Sequence, residues 1–201
     1  TLNCVADTVT DRWDTLDRFI ALFDTSSIGD TDTIDSGVLS LYGTEKDNSG
    51  GFGMSLNIYT STPASNTALV AGDYDQTGTT AQATAITYAG FSTTAYNDFT
   101  FNATGRENIS KTGVSKFSAK YVNDSDNSQP TWASGGIELI GFYNADDPGT
   151  SRDPKLVVTY TVTYSVNVND TVTVTESVSL EFPYDVSVND TVNVKATATK
   201  S

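Results

Sequence analysis

The segment KLVVTYTVTYSVNV, Lys155 to Val168, has an apolar side chain at every even position and, Val157 apart, a polar one at every odd position. Successive side chains of a strand point to opposite faces, so this period of two predicts β structure with one buried face. The pattern continues through the rest of the chain. Of the 22 even positions from 156 to 198, nineteen are apolar, and Asp170, Glu176 and Asp190 are the exceptions. Among the odd positions only Val157 and Pro183 break the polar set. The pattern also repeats. Tyr164 to Val174 (YSVNVNDTVTV) matches Tyr184 to Val194 (YDVSVNDTVNV) at an offset of 20 residues, which suggests one β unit used twice.

Parity restricts how this tail turns. A two-residue loop at Asn169-Asp170 pairs Val168 with Thr171 and sends Val172 and Val174 to the wrong face. A three-residue loop, Asn169-Asp170-Thr171, or no reversal at all, keeps the valines together. Asp170 and Asp190 fall on the apolar face, so a turn or an edge crossing is expected at each. Residues 162–201 supply at most a two- to four-stranded sheet with one apolar face, which is marginal in water. Roughly fifteen side chains at about 1.5 kcal/mol each put ~20 kcal/mol of burial at stake. That face must be covered by the chain's own body, by a neighbouring copy to which it adds strands, or by a following domain of which this is a part. Forty extended residues reach ~130 Å, ample to bridge subunits. A tail donated from each copy to the next makes a heterologous contact that does not close, and the product is a filament. The expected subunit interface is Val166, Val168, Val172, Val174, Val178, Leu180, Phe182, Val186, Val188, Val192 and Val194.

Upstream, short apolar runs alternate with turn residues. Strands are expected at Phe19–Phe23 (read as buried on both faces), Gly37–Tyr42, Phe52–Thr60, Thr80–Tyr88, Phe91–Tyr96, Gly113–Val122, Gly136–Tyr143 and Lys155–Thr163. A helical turn is expected in Asn66–Asp73, a short helix in Thr104–Lys111, and a loop over Asn123–Gln129. Strands at this spacing, without long amphipathic helices, predict an all-β jelly-roll sandwich over 1–161 with a β-strand tail over 162–201.

Composition narrows the chemistry. The 201 residues hold 11 Lys+Arg against 25 Asp+Glu, for a net charge of −14. Such a surface repels phosphate backbones and argues against nucleic acid as a partner. There is no His, which removes Ser-His-Asp triads, Cys-His dyads and His-ligated metals. Cys4 is the sole cysteine, so no intrachain disulfide forms. It reads either as a cross-link to another chain or as a small packed apolar residue. No pair of carboxylates is marked out by spacing for glycoside hydrolysis, and no catalytic residue is expected. The 32 Thr and the scarcity of Cys suit an extracellular or surface protein. No stretch approaches the ~18 apolar residues of a membrane span, so insertion into a membrane is not expected. The chain opens at Thr1 without Met or an apolar leader, which points to a removed signal segment or a fragment.

Leu22-Phe23-Asp24-Thr25-Ser26-Ser27-Ile28 and Val38-Leu39-Ser40-Leu41-Tyr42-Gly43 resemble the opening of DNRLRE-type jelly-roll domains. Asp153-Pro154-Lys155-Leu156-Val157-Val158-Thr159-Tyr160-Thr161 resembles their final strand. The likeness covers roughly residues 5–161. It implies a secreted or surface-attached module, similar to carbohydrate-binding modules and accessory or structural rather than catalytic. It transfers no catalytic residue.

Other candidate sites follow from residue type. Asp124-Ser125-Asp126-Asn127 alternates oxygen donors in a way that suits Ca²⁺, with a solvated turn as the alternative, and Asp146-Asp147 is a second short acidic loop. Asp11, Asp14 and Asp17 lie close together, and a surface location accounts for them. Trp13, Trp132 and Tyr143 have faces that stack on sugar rings, or they belong to the core. Asn102, Asn108, Asn123, Asn169 and Asn189 head Asn-x-Ser/Thr sequons and are candidate glycosylation sites. The expected partners are other copies of the chain and, as an alternative, glycans bound by a module of a larger surface or virion-fibre protein.

Overall fold

The computed structural model describes residues 1–163. Among them, nine strands form two antiparallel sheets. The larger holds β1 (Leu2–Ala6), β2 (Trp13–Leu16), β4 (Thr33–Asp47), β6 (Tyr96–Thr100), β8 (Ile137–Phe142) and β9 (Lys155–Thr161). Its order is β2-β1-β8-β4-β6, with β9 also paired to β4. The smaller is β3 (Phe19–Asp24), β7 (Val114–Tyr121) and β5 (Leu56–Thr60), with β7 in the middle. The expected all-β sandwich is therefore present. The tail, from Tyr164 onward, with its eleven interface positions and the sequons at Asn169 and Asn189, lies outside the described residues.

The core forms because alternate strand residues are apolar on the facing sides of both sheets. β4 contributes Leu39 and Leu41, β6 Phe99, β8 Ile140, β5 Leu56 and Ile58, and β7 Phe117, Ala119 and Tyr121, all in one cluster. Two edge-to-face aromatic pairs bridge the sheets, Phe101–Phe117 at 4.8 Å and Phe19–Phe142 at 4.9 Å between centroids. β4 is 15 residues long and serves three partners. Thr33–Ser40 pairs with β9, Val38–Tyr42 with β6, and Gly43–Asp47 with β8. Gly43 sits at the β4 bulge where the carbonyl of Ser92 approaches so closely that a Cβ would collide with its oxygen.

β9 keeps the alternation read from its sequence. Leu156, Val158 and Tyr160 are half-buried against the core, while Lys155, Val157, Thr159 and Thr161 are exposed. Several expected elements differ. Phe19–Phe23 is an edge strand in which only Ala21 is buried, because no second layer covers its outer face. Thr80–Tyr88 is not a strand. It crosses between the sheets, bonding Leu56 through Ile86 on one side, while Gln82 accepts from the Asn102 N–H on the other. Phe91 is a buried loop residue, and the strand begins only at Tyr96. β1 and β2 were not expected. Among the described residues helix is confined to a 3-10 turn at Ala71–Asp75, α1 (Ala103–Glu107) and α2 (Val122–Ser125), the last lying where a loop was expected. No helix among the described residues is long and apolar enough to cross a membrane.

Candidate functional site

The crossing segment closes one side of the sandwich. Gly78 donates to the carbonyl of Thr60 and Gln82 to that of Ile58, so the outer edge of β5 is occupied. On the opposite side, no described residue bonds the outer edge of β3. A groove of about 450 Å³ runs there between β3 and the β8–β9 connection, where Asn144, Asp146 and Pro154 form the far wall. Leu69 beside it is 61% exposed.

A second, smaller cleft of about 150 Å³ opens beside β2. Trp13, Leu16, Met54, Cys4 and Pro130 make its apolar wall, and Asn123, Asn127 and Gln129 make its polar rim. Trp13 is half-buried and meets Phe52 edge-on at 5.1 Å. Its indole N–H is buried without a protein acceptor. An aromatic wall with an amide rim offers one sugar-sized ring both stacking and hydrogen bonds.

The floor of this region is fixed by ion pairing. Arg18 donates from Nε and Nη2 to the two carboxylate oxygens of Asp124, both at 2.7 Å, and from Nη1 to the carbonyl of Tyr74 at 2.7 Å. Its guanidinium lies 4.1 Å over the Tyr74 ring, whose hydroxyl donates to the Leu16 carbonyl. The fork ties the β2–β3 junction, the 3-10 turn and α2 together. Hydrogen bonding to Asp124 raises the pKa of Arg18. Both oxygens of Asp124 are therefore engaged and its side chain is nearly inaccessible, whereas Asp126 is exposed. Calcium at Asp124 and Asp126 requires displacing the guanidinium. Among the described residues no group of three or more His, Cys, Asp or Glu side chains is disposed around a metal.

The remaining acids have local roles. Asp7 is buried and pairs with Arg12, and the Val9 N–H is the main cause holding its carboxyl down at about 2. Asp14 shares a hydrogen bond with Asp7, which pushes its own pKa up. Asp17 accepts from both the backbone and side-chain amides of Asn3. Asp146 and Asp147 stabilise their own turn through Asn144. Glu138, on β8, is fully buried. Its Oε2 accepts from the Met54 N–H at 3.0 Å, its Oε1 has no partner, and burial pushes its pKa up to about 7. Nothing in the residue pattern had marked it, beyond a carboxylate falling on an inward position of an apolar strand.

Trp132 donates from its indole nitrogen to the Arg12 carbonyl at 3.3 Å. Arg152 covers the Tyr143 ring at 4.1 Å and bonds its hydroxyl, so that face is already taken. Of the three aromatics proposed for stacking, only Trp13 lines a cleft described here. Cys4 is a packed core residue, and burial raises its thiol to about 12. Asn102 caps α1, accepting from the Gly105 N–H, and its amide donates to Ala81. The Asn108 amide donates to both Gln82 and Thr104, and that of Asn123 to Ser128. A glycan on Asn108 would cost it one of those bonds, since N-glycosylation leaves a single amide proton.

Comparison with protein-family models, with curated proteins and with solved structures finds no match for this chain. The resemblance to DNRLRE-type domains rests on the quoted segments alone.

Proposed function

We propose that this chain is an extracellular structural subunit that assembles head-to-tail into a filament by donating its C-terminal β strands to a neighbouring copy. The observation that carries the reading is the alternation over positions 156–198 with its 20-residue repeat. A one-sided apolar strand of that length needs an acceptor sheet, and so short a sheet is marginal alone. The valine positions act by cohesion and not by chemistry. The test is electron microscopy of the full chain beside full-length Val186→Asp/Val188→Asp. Filaments from the first and not the second support strand donation, and monomers from both at high concentration refute it.

A second reading is a carbohydrate-binding module of a larger surface protein. The Trp13 cleft, with its aromatic wall and amide rim, favours it. Titration with glycans, read through Trp13 fluorescence, decides it: a saturable change lost in Trp13→Phe supports a sugar site, and no change with any glycan class removes it.

A further inference from the structure

We infer that the acceptor for the donated tail is the outer edge of β3, with the groove beside it. This rests on the strand-donation reading above and names the surface which that reading leaves open. The edges of the two sheets are not equivalent. β2 is only four residues long and carries Asp14, β6 carries Asp98, and β9 exposes Lys155 and two threonines. The outer edge of β5 is occupied by the crossing segment. Among the described strands β3 alone presents five apolar residues in succession on an edge, Phe19 to Phe23, with no proline, bulge or charge among them. Proteins protect sheet edges with just those devices, and an edge without them templates another strand.

The register tells which groups are on offer. Thr25 donates to the Gly113 carbonyl in continuation of the β3–β7 register, so the odd residues of β3 bond β7. Antiparallel pairs alternate, and the backbone groups of Ile20 and Leu22 therefore point outward. A strand added there would turn one face inward, extending the row of Phe19, Ala21 and Phe23, and one face outward to solvent. Residues 164–201 alternate in just that way, and β3 needs about six residues of an eleven-residue repeat.

Hydrogen exchange on the full chain tests this, comparing dilute monomers with filaments. Slowing of the peptide spanning residues 18–24 by about tenfold or more on assembly supports the proposal. Filaments with unchanged exchange there overturn it and leave strand donation standing, with another acceptor. Protection already present in dilute monomers also overturns it, since the tail then docks on its own copy. Failure of the full chain to assemble at any concentration removes strand donation itself and this acceptor with it. As an independent check, full-length Leu22→Pro keeps its tail but loses an outward N–H. Mixed at one part in ten it should cap growing ends and cut mean length to about ten subunits, and unchanged length counts against β3.

Discussion

Replacing Glu138 by Gln should flatten the dependence of stability on pH. The carboxyl is fully buried opposite Cys4 in the β1–β8 ladder, and its pKa rises from 4.5 to about 7 because burial outweighs the Met54 and Gly53 N–H groups that favour the anion. The folded chain then binds more protons than the unfolded one between those values. Stability is full below about 4.5 and is lost as pH rises through 7. A shift of that size corresponds to about 3 kcal/mol. The chain has no His, so no imidazole titrates in the same window, and Asp14, also raised, is common to both proteins and cancels in the difference. The carboxamide of Gln keeps an acceptor for Met54 and stays neutral. Urea unfolding of dilute full chain, followed by tryptophan fluorescence from pH 4.5 to 8, should show the wild type losing about 3 kcal/mol more than Glu138→Gln. Parallel curves would refute the assignment of this charge to Glu138.

Arg18→Ala should cost about 3 kcal/mol, because it strands the buried carboxylate of Asp124, and Asp124→Asn in the same chain should restore part of the loss. Simple additivity in that double-mutant cycle would mean the fork contributes nothing as a pair. Gly43→Ala should cost about 2 kcal/mol, since its Cβ collides with the Ser92 carbonyl, and a neutral effect on the urea midpoint would mean the 91–95 loop moves freely. Cys4, with its thiol near 12, should react with a maleimide at pH 8 roughly a thousand times more slowly than a free thiol until the chain unfolds. Rapid labelling of the native protein would reopen its role as a cross-link.

β9 was legible because Leu156, Val158 and Tyr160 recur at period two and one face of the strand is wet, the condition under which alternation reports burial. The same rule misled at Phe19–Phe23. An unbroken apolar run reads as covered on both faces, yet here it marks an edge, and only the strands that pair with it distinguish the two. β1 did carry a signal in Leu2, Cys4 and Ala6, blurred by Val5 and by the acids that follow. The crossing segment around Ala83 and Ile86 has strand composition, but its hydrogen bonds go to two different sheets, which no local pattern encodes. Trp13 was named as a stacking candidate, whereas the amides facing it come from a loop more than a hundred residues later. The Arg18 fork likewise joins residues that meet only in the fold.

The sharing of β4 among three partners has a kinetic consequence. Leu39 pairs with Leu156 and Val38 with Val157, so the centre of the larger sheet waits for nearly the whole body to be made. Closing loops that long before any contact is gained is slow, and contacts of this kind place the body among the slow-folding β topologies. Until β9 docks, the side of Thr33–Ser40 that it fills stays open to identical chains nearby. The chain must therefore win a race, finishing its own sheet before a neighbour finishes it in the wrong register.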